Sequence, residues 1–145
     1  MAVGDLVVFD EAKAKMIAGD WASTDVFYLA IMENTTIPTA GTVTPVFGDF
    51  TEVTAAGSYT ATGTSLGALS TLVTEAAGVM TFDSATNPTW TQNASNTTTA
   101  YWGIVYNFTD AGKDALAFID LGGPVDMTAG DLTVTWNATG LFTIT

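Results

Sequence analysis

The stretch VFYLAIM, Val26–Met32, is continuously apolar and rich in β-branched and aromatic residues. An apolar run of this length without alternation favours a strand that is buried on both faces. The stretch TTAYWGIVYN, which covers Thr98–Asn107, is the longest clear strand candidate. These two stretches predict the centre of an all-β core.

Shorter candidate strands lie between and beyond these two stretches at spacings of about 8–12 residues. Gly, Asn, Asp and Pro separate them, and they cover Phe50–Val53, Ser58–Ser65, Leu66–Thr74, Val79–Asp83, Thr89–Gln92, Ala115–Leu121, Leu132–Asn137 and Leu141–Thr145. Gly63 and Gly67 are expected bulge or bend points. The pattern predicts one antiparallel β-sandwich or jelly-roll domain over residues 1–145, with about 8–10 strands.

One short helix is predicted near the N-terminus. Asp5 or Asp10 is the expected N-cap, and Gly19 suits the position just after the last turn. Phe9, Ala12 and Met16 fall on one helical face, which predicts that this face packs on the core. After Asp20 the sequence predicts only strands and turns.

The charge of the chain restricts its partners. Asp and Glu total 15 while Lys13, Lys15 and Lys113 are the only cations, so the net charge is −12. Binding to nucleic acid or to an anionic membrane needs many Lys or Arg side chains, so we expect neither partner. The chain has no apolar run of membrane-spanning length. Its first residues have no basic segment and only a short apolar run, which predicts synthesis in a cytoplasm without a secretory leader.

The residue types exclude most catalytic chemistry. Histidine and cysteine are absent, which rules out Ser–His–Asp and Cys–His sites and the usual zinc sites. A glycosidase-like carboxylate pair could use Glu52, Glu75, Asp83 or Asp120, but solvated surface charges are the favoured interpretation. The segment Asp110–Asp114 is either a calcium loop or, as we favour, a polar turn. We therefore expect no enzyme, catalytic residue, metal site or cofactor.

Two groups of side chains leave alternatives open. Trp90, Tyr101, Trp102 and Tyr106 could form a sugar-stacking platform, although core packing is favoured for the pair Trp102 and Tyr106. The long loop Asn34–Gly48 carries four apolar residues in a polar context, namely Ile37, Val43, Val46 and Phe47. These four residues are candidates for partner contact, and the alternative is that they tuck under the loop and pin it.

The order of these motifs resembles a family of short bacteriophage virion structural proteins of the capsid decoration or head-fibre type. The resemblance extends over nearly the whole chain and rests on the helix ending at Gly19, on Ser23–Ile31, Phe50–Val53, Gly57–Thr60, Phe82–Asp83 with Trp90, Ala100–Asn107, Ala117–Gly123, and Ala129–Asn137 with Gly140–Leu141. The chain departs from the family pattern in the length of its Asn34–Gly48 loop and in having Gly63-Thr64 where the family has a glycine pair. These departures concern local turns.

The resemblance implies a capsid decoration, or cement, protein that binds the major capsid protein or other virion proteins and stabilises the assembled head. It implies location in the virion and a homo-oligomer, with a trimer expected by analogy. Two alternatives remain open from the sequence. One is a tail, collar or fibre component of the virion, and the other is a carbohydrate-binding β-sandwich module.

Overall fold

In a computed structural model, residues 2–144 are described, and they form ten β-strands and two short α-helices. The strands are β1 Leu6–Val8, β2 Val26–Met32, β3 Thr64–Ala68, β4 Val73–Ala76, β5 Val79–Phe82, β6 Thr89–Trp90, β7 Ala100–Asn107, β8 Ala115–Val125, β9 Leu132–Thr133 and β10 Phe142–Ile144. The helices are α1 Asp10–Ala18 and α2 Leu69–Leu72. Met1 and Thr145, the outer limits of the predicted domain and of its last strand, lie outside the described residues.

The main layer is a five-stranded antiparallel sheet with the order β1-β8-β7-β2-β3. Strand β2 lies inside the sheet between β7 and β3, and its residues Leu29–Met32 are fully buried. The prediction that VFYLAIM forms an interior strand is therefore confirmed. It holds because a strand with neighbours on both sides and covered faces requires apolar side chains in both directions.

Two smaller antiparallel sheets complete the sandwich-like arrangement, with the orders β10-β5-β4 and β6-β9. Aromatic contacts join the layers: Phe27 of the main sheet meets Phe82 edge-on at 5.6 Å between ring centroids, and Phe82 stacks on Phe142 at 5.1 Å. The prediction of an all-β antiparallel fold with one short N-terminal helix is confirmed. Within residues 2–144 no helix has the length and apolar character needed to cross a membrane.

The predicted N-cap of helix α1, Asp5 or Asp10, is wrong. It begins at Asp10, its N-cap is Phe9, and no side chain caps it. Phe9 is instead fully buried against Phe118 at 5.0 Å, because the chain enters the helix directly from β1 at the sheet edge. The other end is as predicted, since Gly19 has a φ of 75° and donates its N–H to Lys15 and Met16.

The region from residue 50 to 76 differs most from the sequence prediction. Residues 50–53 pair with β2 only through an isolated bridge between Met32 and Glu52, and residues 58–63 form turns instead of strand. The one-turn helix α2 interrupts the predicted strand Leu66–Thr74. Gly67 adjoins a register shift between β2 and β3 and has a φ of 128°, as its predicted bulge role requires.

Candidate functional site

The loop of residues 34–48 is tied to the body of the protein at its C-terminal end. Phe47 donates its backbone N–H to Lys113 O at 2.9 Å, and Ala115 donates to Pro45 O at 2.8 Å. These bonds attach the loop to the turn between β7 and β8. Nearer its middle, the loop accepts the backbone N–H of Asp10 on Ala40 O at 2.9 Å. The loop is therefore anchored to both α1 and the main sheet.

Val46 and Phe47 hold the loop against the body of the protein, which is one of the two roles that the sequence left open for the four apolar loop residues. Both are half-buried, and the Phe47 ring lies 4.5 Å from the Tyr106 ring between centroids. The Lys113 ammonium stands over this cluster, 4.3 Å from the centroid of Phe108 and 5.8 Å from that of Phe47. A cation at this distance over an aromatic face is attracted by the ring quadrupole. These contacts fix the base of the loop.

Ile37 and Val43, in contrast, are exposed to solvent. Ile37 is 61% exposed and Val43 is 81% exposed, so the loop presents two apolar side chains to solvent. Between them a tight turn is closed by Thr42, which donates both its backbone N–H and its hydroxyl to Thr39 O, at 3.0 and 2.8 Å. The four residues that the sequence grouped together therefore divide into an anchoring pair and an outward pair.

The three lysines lie at this same end of the protein and are engaged within the chain. Lys15 forms an ion pair with Asp114 at 2.6 Å, and Lys13 pairs with Asp10 at 2.8 Å. Burial alone lowers the pKa of Lys15, but the hydrogen bond and charge of Asp114 outweigh burial, so the net pKa is raised. Lys113 instead lies over the aromatic rings of the Phe47 cluster.

A buried polar network, which the sequence did not reveal, lies beside the loop. The Tyr59 hydroxyl accepts the backbone N–H of Ile31 at 3.0 Å and donates to the Glu52 carboxylate at 2.7 Å. Glu52 also accepts the backbone N–H of Thr62, and Thr62 O accepts the Tyr106 hydroxyl at 2.8 Å. Burial raises the pKa of both tyrosines. The network fastens residues 50–63 to β2 and β7.

The four carboxylates considered for catalysis lie apart or serve local turns. Asp120, Trp102, Met32 and Glu52 follow one another across the sheet, each opposite the next. Three steps of about 4.8 Å between strands separate Asp120 from Glu52 by roughly 14 Å. A glycosidase pair is about 5–9.5 Å apart, so these two carboxylates do not match one.

The other two candidates have local roles: Glu75 accepts the backbone N–H of Gly78 at 2.8 Å, and Asp83 accepts that of Ser84 at 2.8 Å.

The segment Asp110–Asp114 forms a polar turn, the interpretation favoured from the sequence. Asp110 accepts the backbone N–H of Gly112 at 2.8 Å, whereas Asp114 is committed to Lys15 and to the Trp21 indole at 3.2 Å. Across residues 2–144 there is no cluster of three or more acidic side chains that could hold a metal ion.

The tryptophans considered for sugar stacking are used in packing. Trp90 is only 4% exposed and lies 5.8 Å from Tyr59 between ring centroids. Trp102 is half-buried, contacts Phe118 and donates its indole N–H to Asn34 at 3.0 Å. Tyr106 is fully buried, as predicted. Trp90 is therefore closed to a sugar ring, whereas Trp102 remains partly exposed.

Fold and loop together define the class of the protein: an acidic, all-β, sandwich-like domain with an anchored loop that exposes apolar side chains. Comparison with protein-family models, with curated proteins and with solved structures gives no match for this chain.

Proposed function

We propose that this protein is a structural subunit of a bacteriophage particle, a decoration protein that binds the major capsid protein and stabilises the assembled head. The observation that carries the proposal is the loop of residues 34–48, which is anchored at its base and presents Ile37 and Val43 to solvent. The motif order that resembles phage virion proteins supports the same function.

The charge of the chain supports an apolar contact. Copies with a net charge of −12 repel one another and any acidic neighbour, so a subunit that assembles must use apolar or backbone contacts. Burying Ile37 and Val43 against a capsid subunit supplies part of that contact at about 25 cal/mol per Å² of apolar surface. Binding only the assembled shell would stabilise it by mass action. A trimer remains our expectation for the oligomer.

The first test is the copy number of this chain in purified particles, measured by quantitative mass spectrometry against the major capsid protein. We expect a simple ratio to the capsid subunit, with hundreds of copies for a typical shell. A count of about six to thirty would place the protein in a tail, collar or fibre instead, where few symmetric positions exist. Absence from particles would overturn the proposal.

The second test uses matched variants of the exposed isoleucines. Ile37→Ser is expected to lower occupancy on particles stripped of the protein, whereas Ile17→Ser, at a position 84% exposed on α1, is expected to bind as the parent does. Both variants should unfold at the parent temperature, because each side chain is largely in water already. Equal occupancy for the two variants would remove the loop from the contact.

A further inference from the structure

Thr44, in the loop of residues 34–48, has a strained backbone, with a φ of 45°. β-Branched residues rarely occupy this left-handed region, because the Cβ atom crowds the backbone there. Thr44 also precedes Pro45, and a residue before proline is held mainly to extended conformations. Local preferences therefore oppose the conformation of Thr44, and contacts from elsewhere in the protein must maintain it.

Thr44 lies at the junction between the anchored base of the loop and its exposed part. On the C-terminal side, Pro45 is buried and its carbonyl accepts the backbone N–H of Ala115 at 2.8 Å, which fixes the chain to β8. On the N-terminal side, Val43 is 81% exposed and follows the tight turn of residues 39–42. Rotation about the φ bond of Thr44 would therefore move Val43 and this turn relative to the fixed base.

The contact that holds Thr44 comes from helix α1. The Glu11 carboxylate accepts the Thr44 backbone N–H, although the two residues are 33 positions apart. A hydrogen bond to an ionised acceptor is roughly twice as strong as one between neutral groups. Because Glu11 belongs to a helix, its carboxylate favours the loop conformation in which the Thr44 N–H faces α1.

A second contact joins α1 to the exposed part of the loop. Asp10 donates its backbone N–H to Ala40 O at 2.9 Å, within the tight turn of residues 39–42. Helix α1 is therefore bonded both to this turn and to the junction at Thr44.

Helix α1 is itself fixed to the body of the protein. Ala12 is 1% exposed in the core, and Lys15 forms its ion pair with Asp114 at 2.6 Å. Asp114 in turn pairs with Val46, at the base of the loop, through an isolated bridge. Glu11 and Lys15 are four positions apart and so lie on one helical face. The same face of α1 therefore supports both the junction and the base of the loop.

We propose that Glu11 is a positioning residue, through which α1 holds Thr44 in its strained conformation and so sets the direction of Val43 and the tight turn. A loop that is ordered before binding loses little conformational freedom in the complex, which favours affinity. The apparent affinity falls in proportion to the fraction of molecules that have the competent loop conformation. The inference rests on the proposed function for the identity of the partner, whereas the role of Glu11 in the free protein does not.

The first test compares Glu11→Ala with Asp10→Ala in the free protein, by NMR of the ¹⁵N-labelled full chain. Both carboxylates lie in the first turn of α1, where they interact alike with the helix dipole. The Asp10 side chain pairs with Lys13 and not with the loop, and its replacement keeps the backbone N–H that bonds Ala40. Asp10→Ala is therefore the matched control.

In Glu11→Ala we expect the Thr44 amide to exchange with solvent at least about tenfold faster, the factor that corresponds to roughly one lost hydrogen bond. The N–H order parameters of residues 42–44 should fall from about 0.85 to below about 0.6, whereas Asp10→Ala should match the parent. Parent-like values in Glu11→Ala would overturn the proposal. Equal loosening in Asp10→Ala would overturn it as well, because the cause would then be the charge at the helix end.

A second pair of variants tests the strain at residue 44. Asparagine tolerates a positive φ better than threonine does, so Thr44→Asn added to Glu11→Ala should restore part of the order at residues 42–44. Thr44→Val in the same background keeps the β-branch and should restore none. Equal recovery with both variants would show that strain at this position does not require Glu11, against the proposal.

Occupancy on particles stripped of the protein separates this inference from the proposed function. If the parent binds, Glu11→Ala should bind about tenfold more weakly than Asp10→Ala, as expected when about a tenth of the molecules keep the competent loop. Equal binding of the two variants would overturn the positioning role. If the parent itself does not bind, the proposed function fails, and the order parameters of the free protein still decide whether Glu11 holds the loop.

Discussion

Replacing Tyr59 by phenylalanine should destabilise the protein far more than the loss of one oxygen atom suggests. Tyr59 is 2% exposed, and its hydroxyl joins the Ile31 backbone N–H to the Glu52 carboxylate. In Tyr59→Phe the buried N–H loses its acceptor and the carboxylate loses a donor. The perturbation is therefore one unsatisfied backbone N–H in β2 and the loss of one of the two hydrogen bonds to the Glu52 carboxylate, which still accepts the Thr62 N–H.

The magnitude follows from these two groups. A buried donor left without a partner costs about 1–3 kcal/mol, and a hydrogen bond to a charged group contributes about 1.5–3 kcal/mol. Because one hydroxyl makes both bonds, the two effects overlap, and we expect the free energy of unfolding to fall by about 2–4 kcal/mol. For a domain of this size that is a decrease of about 5–12 °C in the unfolding temperature.

The assay is urea unfolding followed by tryptophan fluorescence, with Tyr101→Phe as the control for removal of a tyrosine hydroxyl from a half-buried position on β7. The midpoint should shift with an unchanged dependence on urea, since the surface exposed on unfolding is the same. A midpoint for Tyr59→Phe within error of the Tyr101→Phe control would refute the reasoning. In a double-mutant cycle, Tyr59 and Glu52→Gln should be coupled by at least about 0.5 kcal/mol.

Three further predictions follow. Phe47→Ala should lower the free energy of unfolding by about 2 kcal/mol, less than for a fully buried phenylalanine, and calorimetry should show no comparable loss for Val43→Ala, whose side chain is mostly in water. Gly63→Ala should abolish soluble folded protein or reduce the unfolding temperature drastically, because a Cβ at its φ of +79° would lie within 2.0 Å of Leu29 O; circular dichroism checks this, and a parent-like spectrum and melt would contradict it. Burial raises the pKa of Tyr59 and Tyr106 above the ordinary value near 10. As the pH rises, both hydroxyls therefore lose their protons in the unfolded chain before they do so in the folded protein. The contribution of these two tyrosines to the free energy of unfolding should thus be constant below about pH 10 and fall above it by about 1.4 kcal/mol per pH unit for each tyrosine. Urea midpoints that do not fall between pH 10 and 11 would contradict the pKa shifts.

The strands that could be predicted from sequence are those whose pattern is set by burial on both faces. Val26–Met32 is correct to the residue, and Thr98–Asn107 is correct except that β7 begins at Ala100. Leu6–Val8 gave no strand signal, because three residues are too few to show a period and their pairing depends on β8, more than a hundred positions away. Helix α2 was missed for a similar reason, since one turn carries no amphipathic pattern.

The sequence predicted that the loop of residues 34–48 is the candidate site, but it did not predict which of its apolar residues anchor the loop and which face solvent. Ile37 and Phe47 look alike in sequence, and what separates them is the cluster of Tyr106, Phe108 and Lys113, which the β7–β8 hairpin brings against Phe47 alone. Glu52 could not be recognised either. Its pattern is that of a solvated acid, and only the fold places the Tyr59 hydroxyl within 2.7 Å of it. Long-range contacts of this kind have no local signature.

The confinement of lysine to α1 and the β7–β8 turn affects how the protein can be detected. Trypsin cleaves after lysine and arginine, and this chain has no arginine, so cleavage is limited to Lys13, Lys15 and Lys113. Lys15 is held by Asp114 and Lys113 lies over Phe108, which shields both in the folded state. Even after denaturation, everything between Lys15 and Lys113 is released as one long peptide that is poorly suited to routine quantification. Quantification from tryptic peptides would undercount this protein, whereas a protease that cuts at its 15 acidic residues would count it in full.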